Sequence, residues 1–184
     1  MVKNVNVPLG WVRIEWQPGY TWIKNTRPNL IAAGMNPNQL RRCVYVIRLN
    51  GDYAIDYPGG ESPTVYIGEG NFSSRINSHR KWVSGLEELV GNFSFQICVS
   101  IPRVRNNEYA YQDCEAALLD RFKKKFKSAP LWNKQFEKRR SNHYIYNERQ
   151  MDEALCKRSG AKYKWAFRPL RSSAFYKDFE RTHS

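Results

Sequence analysis

The sequence predicts a mixed α+β protein folded as a single domain over residues 1–184, and three observations carry that prediction. Short β-branched and aromatic runs ending in turn dipeptides alternate with longer stretches of helical periodicity. A hydrophobic fraction of 41% with 14% aromatics supplies a core in spite of a mean hydropathy of −0.69, which excludes wholesale disorder. No internal repeat or low-complexity tract is visible, and 184 residues suit one unit with elaborations at its ends.

The first element, Trp11-Val12-Arg13-Ile14-Glu15-Trp16, alternates and predicts a strand. Gly19, Pro28, Gly34 and Pro37 are expected to break any long regular element before Arg41. Cys43 through Leu49 is a second strand ending at Asn50-Gly51, a strong turn dipeptide. A loop or hairpin through Pro58-Gly59-Gly60 leads to Thr64-Val65-Tyr66-Ile67-Gly68, so these two strands are expected to be antiparallel neighbours. After Gly68-Glu69-Gly70 the period becomes helical over 73–82, with Arg75 and His79 four apart and therefore on one face. Ser84-Gly85-Leu86-Glu87 has the form of a capping box and predicts a separate short helix. Residues 92–101 predict a further strand closed by Pro102. Residues 107–127 predict a long helix with Ala110, Cys114, Ala117, Leu118, Phe122 and Phe126 on its apolar stripe. Beyond Pro130 a short β-like His143-Tyr144-Ile145-Tyr146 and a helix over 148–157 follow. The central order is β-β-α-β-α.

Thirty Lys and Arg against 17 Asp and Glu give a net charge of +13, and its location is more informative than its size. Residues 1–120 carry 12 basic and 11 acidic side chains, a net of +1; residues 121–184 carry 18 and 6, a net of +12. So lopsided a segment points to a polyanionic partner, nucleic acid above all, although a solvated basic tail has the same composition. Cys43, Cys98, Cys114 and Cys156 form no Cys-x-x-Cys pair and have no histidine at zinc-finger spacing, which argues against structural zinc and suits reduced thiols. No run approaches the ~20 apolar residues that span a bilayer, and the N-terminus lacks a signal-peptide apolar core. An intracellular, cytoplasmic protein with no membrane partner is expected.

The residues that carry chemistry are Tyr45 in one strand, Tyr66 and Gly68 in the next, Arg75 and His79 on the following helix, Glu115 on the long helix and Asn133 beyond it. With a literal Tyr66-Ile67-Gly68 and Cys43-Val44-Tyr45 ahead of it, the sequence resembles the GIY-YIG nuclease family, over about residues 42–135. The resemblance implies a small core with a mainly antiparallel three-stranded sheet flanked by helices, an N-terminal extension at 1–41 and a basic C-terminal extension at 136–184. Cys43 replaces the first glycine. The two tyrosines stand 21 residues apart, so Asn50 to Pro63 reads as an inserted excursion. Glu69 occupies the place where many members carry lysine.

Phosphodiester hydrolysis needs an activated water, positive charge against the developing phosphorane charge and a stabilised leaving oxygen. Glu115, beside its helix's apolar stripe, is the expected ligand of Mg²⁺, with Mn²⁺ able to substitute. Arg75 is expected on the scissile phosphate through its planar fork. His79, with an ordinary pKa near neutrality, is expected to pass protons or orient Tyr45. The resemblance implies that one phenol, assigned here to Tyr45, is the general base or water-positioner with Tyr66 as its partner, although a phenol that ionises near 10 is a poor base at neutral pH. Gly68 is expected to let the backbone approach DNA closely. Asn133 is expected to contact phosphate or scaffold. Residues 121–140 hold nine basic side chains and one acidic; of these Lys123, Lys124, Lys127, Lys134, Lys138, Arg139 and Arg140 are the expected phosphate contacts.

Together these imply a divalent-metal-dependent endonuclease acting on duplex DNA and resembling the compact, sequence-specific type II restriction members. Base and partner contacts would come from the 50–63 excursion, residues 1–41 and the tail from His143. Cutting both strands with one site per chain would call for a homodimer. A basic nucleic-acid-binding module without catalysis on the same fold, and a phage or toxin nuclease without sequence preference, are the alternatives.

Overall fold

Cys43–Leu49 is buried at every position, the mark of a strand covered on both faces. The computed structural model that shows this describes residues 4–50, 54–90, 94–134, 139–141 and 143–157, together with 171, 177, 180 and 181. In chain order the elements are β1 (Val5–Val7), β2 (Val12–Trp16), α1 (Arg27–Ala32), β3 (Cys43–Leu49), β4 (Ile55–Tyr57), β5 (Gly60–Ser62), β6 (Thr64–Gly70), α2 (Phe72–Val90), β7 (Phe95–Ser100), α3 (Ala110–Phe126), β8 (Tyr144–Tyr146) and α4 (Glu148–Leu155). The protein is α+β, and its main sheet is antiparallel throughout in the order β2-β7-β3-β6.

Four strands stand where three were expected in the core. The added one is β2, from the N-terminal extension, which pairs with β7 from Val12↔Val99 to Trp16↔Phe95. Its alternation buries Ile14 and Trp16, and the Trp16 ring meets Phe95 edge-on at 6.0 Å. Residues 1–41 are therefore in part a wall of the core. Between β2 and β3 the expected break is also absent from 22 to 32. A π-helical turn, Trp22–Thr26, runs into α1, capped by Thr21 Oγ1 accepting from Lys24 N at 3.2 Å. Pro28 sits in the first turn of α1, where its ring is tolerated.

The separate second helix is not formed either. α2 runs unbroken from Phe72 to Val90, and Ser84 Oγ donates to Lys81 O three residues back instead of capping. The 50–63 excursion forms the β4–β5 hairpin, and it is a packing element. Tyr57 is buried edge-on against Phe122 at 5.0 Å, and Gly59 N donates to Phe126 O at 2.9 Å. A Cβ at Gly59 would lie 2.5 Å from Lys125 O, so only glycine permits this approach to the end of α3. The hairpin's described part packs on the core.

Described parts of both extensions are tied down. β1 and β8 pair in parallel, Val5↔Tyr144 to Val7↔Tyr146. Buried Asp113 on α3 accepts from Arg140 N (2.9 Å), Ser141 N (3.0 Å) and Tyr146 Oη (2.9 Å). The carbonyls at the end of α4, which no helical amide reaches, are taken by Arg48 on Glu153 O and Cys156 O and by Ser62 and Thr64 on Leu155 O. Among the described residues no helix is long and apolar enough to cross a membrane.

Candidate active site

Pairing of β3 with β6 sets Tyr45 directly opposite Gly68, and the missing side chain of that glycine is what the site is built around. A Cβ there would stand 2.5 Å from Tyr66 Cε1 and 2.7 Å from Tyr45 Oη. The space expected to admit DNA is filled by the two tyrosine rings, whose centroids lie 6.1 Å apart. Tyr45 is fully buried under Phe72 of α2 (5.2 Å, edge-on), whereas Tyr66 is half-buried. Of the two phenols Tyr66 has exposed surface, whereas Tyr45, the expected general base, is enclosed.

His79, four residues after Arg75 on α2, lies between the rings and Trp82. Its Nε2 is 2.8 Å from Tyr45 Oη, and its Nδ1 accepts from Trp82 Nε1 at 3.0 Å. An indole nitrogen only donates, so Nδ1 carries no proton and, in the neutral ring, Nε2 does. Nε2–H then donates to Tyr45 Oη. Burial, reinforced by the Arg75 charge, lowers the pKa of His79 to about 4. At neutral pH it is a fixed hydrogen-bond donor, a state that suits the second of its two expected roles, orienting Tyr45, better than passing protons. The hydrogen-bonded chain runs Trp82 to His79 to Tyr45, and the Tyr45 ring lies against that of Tyr66.

Arg75 and Glu115 act on both phenols from opposite sides of the charge balance. Burial raises the pKa of Tyr45 well above its usual value, with Tyr66 and Glu115 adding and Arg75 opposing. Tyr66 is raised by burial and then by Glu115, with Arg75 opposing. Glu115 is only 8% exposed although its chemistry is that of a surface residue. Glu69, the residue in the expected lysine position, also raises Tyr66, so a second carboxylate borders the site. Among the described residues no three His, Cys, Asp or Glu side chains converge. A single buried carboxylate fits a hard cation such as Mg²⁺, which takes few protein ligands and completes its shell with water and phosphate oxygens.

Asn133 has a scaffold role. Its Oδ1 accepts from Ile67 N at 2.9 Å and its Nδ2 donates to Ile67 O at 2.7 Å, while Trp132 N donates to Val65 O at 3.0 Å. The amide thus stands in for a neighbouring strand along the outer edge of β6 and fixes the residue between the site's Tyr66 and Gly68.

The expected phosphate contacts divide. Lys123, Lys124, Lys127, Lys134 and Arg140 are exposed. Arg139 is engaged internally, donating to Ser141 O (3.1 Å) and Tyr144 O (2.6 Å), pairing with Asp113 at 3.4 Å and lying 5.6 Å over the Tyr146 ring. Lys138 lies outside the described residues. Two residues escaped sequence reading. Trp82 sits three after His79, a helical neighbour, so the spacing was visible but the direction of its N–H was not. Trp132, in the Leu131-Trp132-Asn133 run, stacks on Trp82 at 5.0 Å. No family model, curated protein or solved structure matches this chain.

Proposed function

We propose that this chain is a divalent-metal-dependent endonuclease of GIY-YIG type that hydrolyses phosphodiester bonds in duplex DNA. The observation that carries the reading is the cluster of Tyr45, Tyr66 and His79, from β3, β6 and α2, with the charges of Arg75 on α2 and Glu115 on α3 acting on both phenols. Their chemistry is complementary. Arg75 presents a permanent charge in a fork that matches two phosphate oxygens and the charge that grows on them. Tyr66 holds the attacking water through its hydroxyl, its ring held among those of Tyr45, His79 and Trp82, so little reorganisation accompanies reaction. Glu115 would hold Mg²⁺ or Mn²⁺, whose positive charge adds to that of Arg75 when bound. Exposed Lys123, Lys124, Lys127 and Lys134 supply phosphate neutralisation without sequence information.

In this reading the chain is closest in kind to sequence-specific restriction enzymes of that type, and cleavage of both strands brings two copies together. The test is incubation of a long duplex DNA with Mg²⁺ or with EDTA, wild type beside Glu115→Ala and Arg75→Ala. Wild type with metal cuts to discrete fragments, and each variant loses at least ~10²-fold, the scale of one removed transition-state contact, while still binding DNA. A smear keeps the chemistry and removes sequence specificity. Undiminished cutting by Glu115→Ala, or binding without any cutting by wild type, overturns the proposal, the latter in favour of a binding module.

A further inference from the structure

We infer that a second cleft, formed where the π-helical turn, residues 37–41 and the start of α2 meet, is a nucleotide-binding pocket that grips the same nucleic-acid strand next to the active site. The inference rests on the nuclease reading for the identity of the strand, and on separate residues for the pocket. The cleft encloses about 350 Å³ and is lined by Trp22, Arg27, Asn38, Arg41, Asn71 and Ser73, with Leu40 and Pro37 completing it. That volume is at the lower end for small-ligand sites and suits a single nucleotide. Among the described residues no carboxylate lines it. Its polar groups are two guanidiniums, two amides and a hydroxyl, the donor set that recognises phosphate.

The two arginines are available. Arg27 and Arg41 are exposed and their side chains make no hydrogen bond or ion pair among the described residues, whereas the adjacent Arg42 is paired with Glu108 at 2.5 Å. The first turn of α2, which opens into the cleft at Asn71 and Ser73, contains no acidic residue. Acidic side chains are the usual answer to the positive end of a helix; here the turn carries Arg75 instead, and an external anion would complete it. Phe72 N is already used on Leu40 O at 3.0 Å, which fastens the two walls together. The half-buried Trp22 indole adds an aromatic surface of the kind on which an unstacked base rests.

The position supports the same conclusion. Phe72 touches Trp22 on one side at 6.2 Å and Tyr45 on the other at 5.2 Å, both edge-on. A strand advances ~3.4 Å along the duplex axis per nucleotide, so a phosphate held by Arg75 and one held by Arg27 and Arg41 belong to nucleotides a few steps apart.

The test uses the full chain carrying Glu115→Ala, so that bound DNA stays intact, and a fluorescent duplex with a single-stranded overhang, titrated over a range of salt. Arg27→Ala and Arg41→Ala are each expected to weaken binding several-fold and to reduce the slope of log K against log salt by about 1. Trp22→Leu is expected to weaken overhang binding roughly tenfold with the slope unchanged. Arg149→Ala, an exposed cation remote from the cleft in sequence, controls for bulk charge. If Arg27→Ala and Arg41→Ala match Arg149→Ala, the pocket is refuted, whether or not wild type cleaves. If the pocket variants behave as expected while wild type with Mg²⁺ never cuts, the pocket stands and the nuclease reading falls.

Discussion

Replacing His79 by Gln removes a group that changes charge between pH 4 and 7 while keeping a donor directed at Tyr45. In the folded chain His79 takes up a proton only near pH 4, against an ordinary 6.5. Between those values the unfolded chain binds one proton more, so stability rises with pH. The contribution is fully present above pH 6.5 and is lost as pH falls through about 4. That gap, at ~1.4 kcal/mol per pH unit, amounts to about 3 kcal/mol, and the side chain is only 7% exposed, so solvent screening takes little from it. Urea titrations of wild type and His79→Gln at pH 7, 5.5 and 4.5 measure the difference directly. Carboxylates such as Asp113 and Asp152 are common to both proteins and cancel. By pH 4.5 wild type is expected to have lost about 2–3 kcal/mol more than the variant, a fall in Tm of roughly 5–10 °C for a chain of this size. Profiles that stay parallel within about 0.5 kcal/mol would mean that His79 ionises normally, and the assignment of its tautomer through Trp82 would go with it.

Two further substitutions probe the packing behind the site. Gly68→Ala drives a methyl group into Tyr45 and Tyr66; it is expected to cost about 1–3 kcal/mol in urea titration and to abolish metal-dependent cleavage, and full activity would refute the account of that glycine. Asp113→Ala strands Tyr146 Oη, two backbone amides and the Arg139 charge. It is expected to cost about 3 kcal/mol and to open residues 139–146 to limited proteolysis, while an unchanged digestion pattern counts against the anchoring role.

How much could be read in advance follows the range of each signal. The strand over Cys43–Leu49, the helix over Ala110–Phe126 and the strand that carries Tyr66 and Gly68 depend on local alternation and periodicity, and they were legible. The pairing of β2 with β7 joins residues 79 to 87 apart, and nothing in either run names the other. Arg139 looked like one more member of a basic run because its partner, Asp113, lies a helix away in sequence. The four-residue spacing of Arg75 and His79 placed them together, but the direction of the hydrogen-bonded chain depends on which nitrogen faces Trp82, a matter of side-chain rotation. Ser84 illustrates the opposite error, since a capping pattern is satisfied equally well by a hydroxyl that bonds back within a continuing helix.

The amide of Asn133 has a consequence for how the protein behaves in a crowded solution. An unsealed outer strand invites a copy of the same strand from another molecule, which is how sheets grow into fibres. By taking both backbone groups of Ile67, one side chain denies β6 to any such visitor at the point nearest Tyr66. Under the proposed function, two copies brought together on DNA would have to meet elsewhere, leaving the mouth of the site open to a bound strand.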